Sequence, residues 1–184
     1  MLEEKTIKVA FFDRDGIINY DYGYVHKIKD FHFVKGIFDV LKFLLTKNFK
    51  IIIVTNQSGI GRGMYSESDF INVNNWMLEE MKKESITILD VFFCPHGPDS
   101  TCNCRKPKPG MLFDAIRKYN ISLTKSLMVG DSARDIQAAK EAGIKNNYLV
   151  NSNYKKKIDS EEVFLCSEHG DLLRLLRKNL SNNL

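Results

Sequence analysis

Short apolar runs alternate with amphipathic stretches of helical periodicity along this chain. The runs predicted as strands are Ile7–Phe12, Lys50–Thr55, Ile88–Phe93, Leu127–Val129, Asn147–Val150 and a possible short strand at Val163–Cys166. The predicted helices cover about 36–47, the stretch opened by the capping sequence Ser66–Asp69, the stretch after Pro109, 133–142 and 171–178. Because strands that alternate with helices form right-handed βαβ units, the pattern predicts a three-layer α/β fold with helices on both faces of a parallel sheet.

Polar side chains follow four of the predicted strands, at the point where each strand ends. In chain order they are Asp13-Arg14-Asp15-Gly16, Thr55-Asn56-Gln57-Ser58-Gly59, Cys94-Pro95-His96 and Gly130-Asp131-Ser132. The carboxyl ends of parallel strands meet at one edge of a sheet, and open α/β sheets bind their ligands just beyond that edge. We therefore expect a single crevice that collects these residues.

The composition is that of a globular protein and excludes several other classes. Of the 184 residues, 43% are hydrophobic and 27% are charged, which fits one domain over residues 1–184. No apolar run approaches the ~18–20 residues that cross a bilayer, and the charged start of the chain lacks a signal-peptide core. We therefore expect a cytoplasmic protein without a membrane partner and, because nothing indicates an obligate interface, a monomer.

The charge of the chain is mildly basic, with a formal net charge of +4. Nucleic-acid-binding proteins tend to cluster lysine and arginine on one stripe, whereas the one tight basic run in this sequence is Lys155–Lys157. We interpret this run as a solvated loop, with a phosphate-binding patch as the alternative. No nucleic-acid partner is expected.

Asp13, Asp15 and Asp131 indicate a magnesium site. The first two leave one predicted strand and the third leaves another, so three carboxylates converge with no obvious basic partner. Unpaired carboxylates are costly in an apolar setting, and Mg²⁺ binds carboxylate and carbonyl oxygens together with a substrate phosphate. Each aspartate taken alone would also fit a helix cap or a turn.

The same residue types suit phosphoryl transfer. A carboxylate is a competent nucleophile toward phosphorus, and a second carboxyl group two residues away is placed to act as general acid and base. The reaction otherwise needs positioning and neutralisation of charge on the phosphoryl group. The hydroxyl of Thr55 and the ammonium group of Lys106 are the candidates for this role.

A proline-rich loop, predicted over 94–109, contains a second candidate metal site. Cys94, His96, Cys102 and Cys104 supply three thiolates and one imidazole, the ligand set of a closed structural Zn²⁺ site. A reduced loop with unligated thiols is the alternative. Because a closed site leaves no open coordination position, we expect the zinc to fold the loop and to fix the adjacent cations.

Three of these segments resemble the motifs of the haloacid-dehalogenase-like phosphatases: Phe11 to Gly16, Thr55 to Gly59 and Gly130-Asp131-x3-Asp135. Three further segments resemble one family within that superfamily, the heptose bisphosphate phosphatases. They are Asp21-Tyr22-Gly23-Tyr24-Val25-His26, Gln57 to Gly63, and Cys-x-His-x5-Cys-x-Cys-Arg-Lys-Pro. The resemblance covers about 8–152 and implies a Rossmann-like fold whose small loops replace a large cap domain. It implies a Mg²⁺-dependent phosphatase that removes the 7-phosphate of a heptose 1,7-bisphosphate in activated-heptose biosynthesis. One departure is Ile17, which stands where the first motif usually has threonine.

The resemblance also implies a role for each matching residue. Asp13 is expected to be the nucleophile that forms an aspartyl-phosphate, and Asp15 the general acid and base. Magnesium is expected to be held by the Asp13 carboxylate, the Asp15 backbone carbonyl and Asp131. The remaining roles are phosphoryl binding by Thr55 and Lys106, support of the metal by Asp135, substrate recognition by Arg105, and lining of the sugar site by Asp21, Tyr22, Gly23, Tyr24, Asn56, Gln57 and Ser58.

Three other functions stay open at this point. A histidinol-phosphate phosphatase shares the fold, the magnesium motifs and a short zinc loop, but its second motif typically has aspartate where this chain has Ser58. A phosphatase acting on DNA 3′ ends fits the basic charge, although no basic stripe is visible. A non-catalytic zinc-stabilised binding module would be expected to lose at least one of the predicted catalytic residues.

Overall fold

The computed structural model describes residues 6–150 and 163–181. Within these ranges the strands are β1 (Val9–Phe12), β2 (Lys50–Asn56), β3 (Ile88–Cys94), β4 (Leu127–Gly130), β5 (Asn146–Val150) and β6 (Val163–Cys166). The α-helices are α1 (Ile37–Thr46), α2 (Ser58–Gly61), α3 (Glu67–Lys83), α4 (Gly110–Tyr119), α5 (Ala133–Glu141) and α6 (His169–Ser181). Short 3-10 helices lie in two of the loops, at Ile28–Asp30 and Leu123–Lys125.

The strands form one parallel sheet in the order β3-β2-β1-β4-β5-β6. The strand order reverses between β1 and β4, which is where sheets of this kind open a crevice for ligands. Phe12, the last residue of β1, pairs with Ile53 on one side and Val129 on the other. The residues that follow β1 therefore emerge at the reversal point, and the predicted fold class is confirmed.

The side chains of the strands alternate between two core clusters, one on each face of the sheet. Ala10 and Phe12 pack with α1, α3 and α6, whereas Val9 and Phe11 pack with α4 and α5. All four of these residues are fully buried, as expected for a parallel strand that is covered on both faces. This burial makes the carboxyl end of β1 a rigid base for the residues that follow.

Serine caps begin two of the helices. At α3 the predicted capping box is confirmed, because Ser66 N–H donates to Asp69 Oδ2 at 2.8 Å and Asp69 N–H donates to Ser66 Oγ at 3.1 Å. Ser132 caps α5 with Asp135 in the same arrangement. Its N–H donates to Asp135 Oδ2 at 3.0 Å and its hydroxyl donates to the same atom at 2.7 Å. The second cap fixes a buried carboxyl group beside the carboxyl end of β4.

Two loops pack together over the carboxyl edge of the sheet, where a large cap domain is absent from the described part of the chain. The first contains α2, and the second is the proline-rich loop after β3. Gly61 N–H donates to Pro95 O at 2.8 Å, and a Cβ atom at Gly61 would lie 2.6 Å from the backbone nitrogen of Gly97. Only glycine fits at this crossing, which joins the two loops closely.

The boundaries of the elements differ from the prediction by at most three residues. β1 begins at Val9, because Ile7 forms an isolated bridge with Ile121 instead of continuing the strand. The last helix begins at His169, two residues earlier than predicted, and continues to Ser181. The basic run Lys155–Lys157 lies outside the described residues. Among the helices of the described ranges we find no candidate for a membrane span, since each is too short or too polar.

Candidate active site

Asp13 stands at the first position after β1 and is fixed by the backbone around it. Its N–H donates to Val129 O of β4 at 2.9 Å, which continues the sheet pairing by one residue. Its Oδ1 accepts the N–H of Arg14 at 2.8 Å. The carboxylate is therefore held at the reversal point of the strand order, as the sequence predicts.

Lys106 brings a buried ammonium group to this carboxylate. Its Nζ lies 2.9 Å from Asp13 Oδ1 and 2.6 Å from Asp135 Oδ1, and it donates to Val54 O at 2.7 Å. The residue is 3% exposed, so these three oxygens replace the water that the ammonium group would otherwise bind. The cation sits between two carboxylates that arrive from different strand ends.

Asn56 holds the backbone of Lys106. Its Nδ2 donates to Lys106 O at 3.0 Å, and its Oδ1 accepts Lys106 N–H at 3.0 Å. The pair of hydrogen bonds joins the end of β2 to the proline-rich loop across 50 positions in the sequence. Both sides of the Asn56 amide are therefore used to locate the lysine.

The carboxyl groups of this cluster have strongly perturbed ionisation. Burial raises the pKa of Asp13 to about 8, with Lys106 opposing the shift and the charges of Asp135 and Asp131 adding to it. Burial also raises the pKa of Asp131 to about 6, and Asp135 contributes to that shift. For Lys106 burial alone lowers the pKa, but the charges of Asp13 and Asp135 outweigh it and the pKa is raised. When they are ionised, the three carboxylates of Asp13, Asp131 and Asp135 thus carry more negative charge than Lys106 alone neutralises.

Three of the carboxyl groups are close enough to share a metal ion: Asp13, Asp131 and Asp135 each offer an oxygen within 4.8 Å of the others. Asp131 is packed against the turn after β1, because a Cβ atom at Gly16 would lie 2.2 Å from its Oδ2. Gly16 also has a φ of +85°, so glycine is required there on both grounds. The prediction that the carboxylates lack a basic partner is wrong, since Lys106 reaches them from a loop distant in sequence.

The carboxylate of Asp15 faces a separate set of donors. Its Oδ1 accepts from Arg14 Nη2 at 2.8 Å and from Asn19 Nδ2 at 3.0 Å, and its Oδ2 accepts from Gln57 Nε2 at 2.9 Å. The side chain is thus oriented by three protein groups.

Arg14 is a functional candidate that the sequence analysis missed. It is completely buried between the rings of Phe31 and Phe70, 6.0 and 5.4 Å from their centroids, and its Nη2 also donates to Val25 O at 2.9 Å. The guanidinium group forms an ion pair with Asp15 and so helps to hold that carboxylate in place. Its partners are scattered along the chain, and an arginine between two aspartates gives no local sign of burial.

Thr55 and Gln57 lie at the end of β2 and are joined by a hydrogen bond. Thr55 is fully buried, and its Oγ1 accepts from Gln57 Nε2 at 2.8 Å. Gln57 Oε1 accepts the hydroxyl of Tyr65 at 2.7 Å. The amides of Gln57 and Asn56 are both engaged by protein groups. These contacts favour a supporting role for the side chains of Gln57 and Asn56 over the direct substrate contact predicted from the sequence.

The remaining predicted substrate residues are exposed or half-buried and lie on loops that follow β1, β2 and β3. Asp21, Tyr22, Gly23 and Tyr24 are exposed, and their turn is closed by a bond from Gly23 N–H to Asp21 Oδ1 at 2.8 Å. The Tyr24 hydroxyl accepts a hydrogen bond from Arg62 on the loop after α2. A cavity of about 310 Å³ lies beside Asp131 and is lined in part by Asp21. Ser58 begins α2, and Arg105 is half-buried with its Nη1 3.5 Å from His96 O.

The four predicted zinc ligands are gathered into one cluster on the proline-rich loop. Their ligand atoms all lie within 4.8 Å of one another. Cys94 Sγ is 3.8 Å from Cys102 Sγ and 3.5 Å from His96 Nδ1, and His96 Nδ1 is 3.3 Å from Cys104 Sγ. Bonds of about 2.3 Å from zinc to sulfur and about 2.0 Å to nitrogen give tetrahedral edges of roughly 3.5–3.8 Å. The geometry therefore suits a four-coordinate metal, and Cys166 is separate and buried.

Comparison with known proteins gives matches over most of the chain. A family model described as "Polynucleotide kinase 3 phosphatase" matches residues 8–167. The D-glycero-alpha-D-manno-heptose-1,7-bisphosphate 7-phosphatase of Photorhabdus laumondii is 38% identical over 182 residues, covering 95% of this chain and 100% of the relative. The D-glycero-beta-D-manno-heptose-1,7-bisphosphate 7-phosphatase of Helicobacter pylori is 45% identical over 149 residues, covering 80% and 86%.

A solved structure shows the same architecture. The D,D-heptose 1.7-bisphosphate phosphatase from B. bronchiseptica, crystallised with magnesium and phosphate, superposes with a TM-score of 0.83 at 29% sequence identity. The match covers 94% of this chain and 99% of that chain. The similarity therefore extends over nearly the whole of both chains.

Proposed function

This chain belongs to the heptose-1,7-bisphosphate 7-phosphatases, haloacid-dehalogenase-like phosphoric monoester hydrolases, and on this premise we propose that it removes the 7-phosphate of D-glycero-D-manno-heptose 1,7-bisphosphate. The observation that carries the proposal is the contact of Lys106 with Asp13 inside a cluster of carboxylates. It pairs a nucleophile with a phosphate-binding cation at the carboxyl edge of the sheet. The reaction would serve the biosynthesis of activated heptose.

The first half of the proposed reaction transfers the phosphoryl group to Asp13. The Asp13 carboxylate attacks phosphorus, the bond from phosphorus to the sugar oxygen breaks, and Asp15 gives its proton to the departing oxygen. Lys106 and the hydroxyl of Thr55 hold the phosphoryl oxygens and neutralise their charge. The products of this step are the dephosphorylated sugar position and an aspartyl-phosphate.

The second half returns the enzyme to its starting state. A water molecule attacks the phosphorus of the aspartyl-phosphate, and Asp15, which lost its proton in the first half, accepts a proton from that water. Inorganic phosphate leaves and the Asp13 carboxylate is restored. The three donors around Asp15 hold the carboxylate in one orientation through both halves.

The carboxylate cluster fits Mg²⁺. Burial and mutual repulsion raise the pKa values of Asp13 and Asp131, and a divalent cation would relieve that repulsion. Hard oxygen donors are the ligands that Mg²⁺ prefers. We assign the ion to the Asp13 carboxylate, the Asp15 carbonyl and Asp131, with Asp135 supporting the site through Lys106 and its helix cap. When bound, Mg²⁺ supplies positive charge beside the phosphoryl group.

We assign Zn²⁺ to Cys94, His96, Cys102 and Cys104. The distances among these atoms match the edges of a tetrahedral zinc site, and four protein ligands leave no position for a substrate. The metal would therefore have a structural role. It would stabilise the loop that carries Arg105 and Lys106 to the crevice.

The substrate pocket is assigned to the small loops above the sheet. The exposed turn Asp21–Tyr24 follows β1 and the half-buried Arg105 follows β3, and they offer carboxylate, hydroxyl and guanidinium groups to a sugar phosphate. We further propose that the protein acts as a single-domain monomer in the cytoplasm, without a nucleic-acid partner. The substrate would be a small-molecule sugar bisphosphate.

The substrate assignment is tested by comparing kcat/KM for four compounds in the presence of magnesium. These are the α and β anomers of heptose 1,7-bisphosphate, histidinol phosphate and a 3′-phosphorylated DNA end. A heptose bisphosphate should be preferred by at least about 100-fold, because specific contacts separate substrates by that order. Preference for histidinol phosphate or for DNA would overturn the substrate and keep the phosphatase chemistry.

The covalent intermediate is tested by chemical trapping. Borohydride reduces an acyl phosphate to an alcohol, so an aspartyl-phosphate at Asp13 would become homoserine during turnover. Mass spectrometry of the digested protein should find this change in the peptide that contains Asp13 and Asp15, at the first of the two positions. Modification at Asp15 would show that Asp15, and not Asp13, is the nucleophile.

A further inference from the structure

Gln57 joins two of the proposed catalytic side chains from inside the protein. Its Nε2 donates to Asp15 Oδ2 at 2.9 Å and to Thr55 Oγ1 at 2.8 Å, which uses both hydrogens of the amide. The residue is 2% exposed, so water does not compete for these contacts. The general acid and the phosphoryl-binding hydroxyl therefore share one donor group.

The hydroxyl of Tyr65 sets the orientation of that amide. It donates to Gln57 Oε1 at 2.7 Å in a buried hydrogen bond. If the amide were reversed, its oxygen would face the Asp15 carboxylate, which can only accept when it is ionised. Tyr65 and Asp15 therefore both select the observed orientation, one by donating to the amide oxygen and the other by accepting from the amide nitrogen.

The orientation of Gln57 determines what the Thr55 hydroxyl can do. Because Thr55 Oγ1 accepts a hydrogen from Gln57, its own hydrogen remains for another acceptor. Phosphoryl oxygens are acceptors, so a hydroxyl prepared in this way is matched to them. Asp15 is affected as well, since its Oδ2 is located by the same amide.

Tyr65 is itself held firmly. Its ring lies against the backbone of Gly59, where a Cβ atom would be 2.0 Å from Tyr65 Cε1. The ring of His26 stacks on its outer face, with centroids 4.8 Å apart and an angle of 3° between the planes. Burial raises the pKa of Tyr65 to about 12, so the hydroxyl keeps its proton and remains a donor at neutral pH.

We propose that Tyr65 is a positioning residue for phosphoryl transfer: its hydroxyl locks the Gln57 amide in the orientation that presents the Thr55 hydroxyl and the Asp15 carboxylate to the substrate. The inference rests on the proposed phosphatase chemistry and adds a residue outside the motifs that carry it. Tyr65 is not among the candidate metal ligands Asp13, Asp131 and Asp135, and its hydroxyl contacts Gln57. Its effect passes through Gln57 alone.

A double-mutant cycle tests this route. Tyr65→Phe removes one hydroxyl, Gln57→Met removes the amide at similar length, and the double variant combines them. Tyr119→Phe is the matched control, because it removes a hydroxyl that donates to Asp90 at 2.8 Å, away from the crevice. The rates are measured with heptose 1,7-bisphosphate and with p-nitrophenyl phosphate. Binding of orthovanadate with magnesium is measured by calorimetry as a readout that needs no turnover.

Tyr65→Phe should lower kcat about 10-fold, leave KM within about twofold and weaken orthovanadate binding, since misplaced groups lose transition-state contacts. Tyr119→Phe should match the wild type. In the Gln57→Met background the Tyr65 substitution should have no further effect. The proposal would be overturned if the losses of kcat in the two single variants multiplied in the double variant. It would also be overturned if Tyr65→Phe raised KM alone, or left kcat and vanadate affinity unchanged.

The substrate assignment and the positioning role fail in different ways. If the wild type hydrolyses p-nitrophenyl phosphate but not the heptose, the substrate is wrong and the cycle is still measured with the aryl ester. His26→Leu is a second variant that disturbs the ring of Tyr65 from the surface and keeps its hydroxyl. It should lower kcat about threefold, and this loss should vanish with Gln57→Met.

Discussion

At the scale of single residues, the site depends on one lysine that is neutralised from two sides. Lys106 contacts Asp13 and Asp135, which arrive from different strands, and Asn56 fixes its backbone. Removing any one member leaves a charge or polar group buried without its partner, which costs about 1–3 kcal/mol or more. The most informative substitutions therefore change the chemistry of one group and keep its shape.

Asp13→Asn keeps the size of the side chain and removes the nucleophile. We expect kcat to fall at least about 1,000-fold, because an amide cannot form the acyl phosphate. Zinc content and far-UV circular dichroism should match the wild type, since Lys106 keeps its contact with Asp135. Phosphate release near the wild-type rate would refute the assignment of the nucleophile.

At the scale of elements, the proline-rich loop is the connection between the two metal-capable clusters. It begins at Cys94, crosses the loop of α2 at Gly61 and reaches the site at Lys106. Loops without regular hydrogen bonds are held by side-chain contacts, and a tetrahedral metal supplies four of them at once. The position of Lys106, the proposed phosphoryl-binding lysine, should therefore depend on a metal bound at this cluster.

Cys102→Ala should lose the metal and lower activity indirectly. We expect zinc, measured by plasma mass spectrometry, to fall from about one equivalent to near zero, and kcat to fall at least about 10-fold as Lys106 loses its fixed position. Cys166→Ala is the matched control, because Cys166 is a free, buried thiol outside the cluster. A zinc content that is unchanged in Cys102→Ala would rule out the ligand assignment.

The first residue of α6 connects the end of the chain to the turn after β1. His169 is 4% exposed, and its Nε2 lies 2.8 Å from Ile17 O, so this nitrogen carries the hydrogen. Burial lowers the pKa of His169, although the bond to Ile17 O opposes the shift. Below the ordinary histidine pKa of about 6.5, the unfolded chain therefore binds a proton that the folded protein does not.

The free energy of unfolding should consequently decrease as the pH falls from about 6.5 through the lowered pKa, and His169 should add no pH dependence above that range. Urea unfolding of the wild type and of His169→Gln, measured from pH 7.5 to pH 5, isolates this contribution. Glutamine can donate to Ile17 O without titrating, so its curve should be flatter. Parallel curves for the two proteins would contradict the assignment.

The elements themselves are well predicted because they depend on local patterns. The β-branched run in β2 and the capping box at Ser66 each specify their element within a few residues. The carboxylates were also predictable, since parallel strands bring their carboxyl ends together. The burial of Arg14 was not, because its aromatic neighbours Phe31 and Phe70 are brought together only by tertiary folding. The same holds for the hydroxyl of Tyr65.

At the scale of the whole molecule, the sheet separates a rigid support from an exposed rim. Both faces are covered by helices, and the proposed catalytic groups lie at the carboxyl edge of the sheet, where the strand order reverses. Among the described residues, Tyr22 and Met64 are 65% and 51% exposed, and both belong to loops above that edge. Exposed apolar groups beside a crevice are suited to contact a ligand.

We expect the protein to be a monomer, since Tyr22 and Met64 are explained by the substrate crevice, and Ile71, Phe113 and Leu165, which are also exposed, lie on three different elements. Sedimentation velocity should find one species near the chain mass of 21.2 kDa at micromolar concentration. Addition of orthovanadate with magnesium should leave this mass unchanged. A species of twice that mass would show that the rim, or another surface, is an interface between copies.

The central claim is that one particular phosphate is removed, and ³¹P NMR of a reaction with heptose 1,7-bisphosphate and magnesium tests it most directly. The account predicts that the resonance of the 7-phosphate disappears, inorganic phosphate appears in equal amount, and the 1-phosphate stays on the sugar. With Asp13→Asn the spectrum should not change. Loss of the 1-phosphate, or no release by zinc-loaded wild-type protein, would contradict the account.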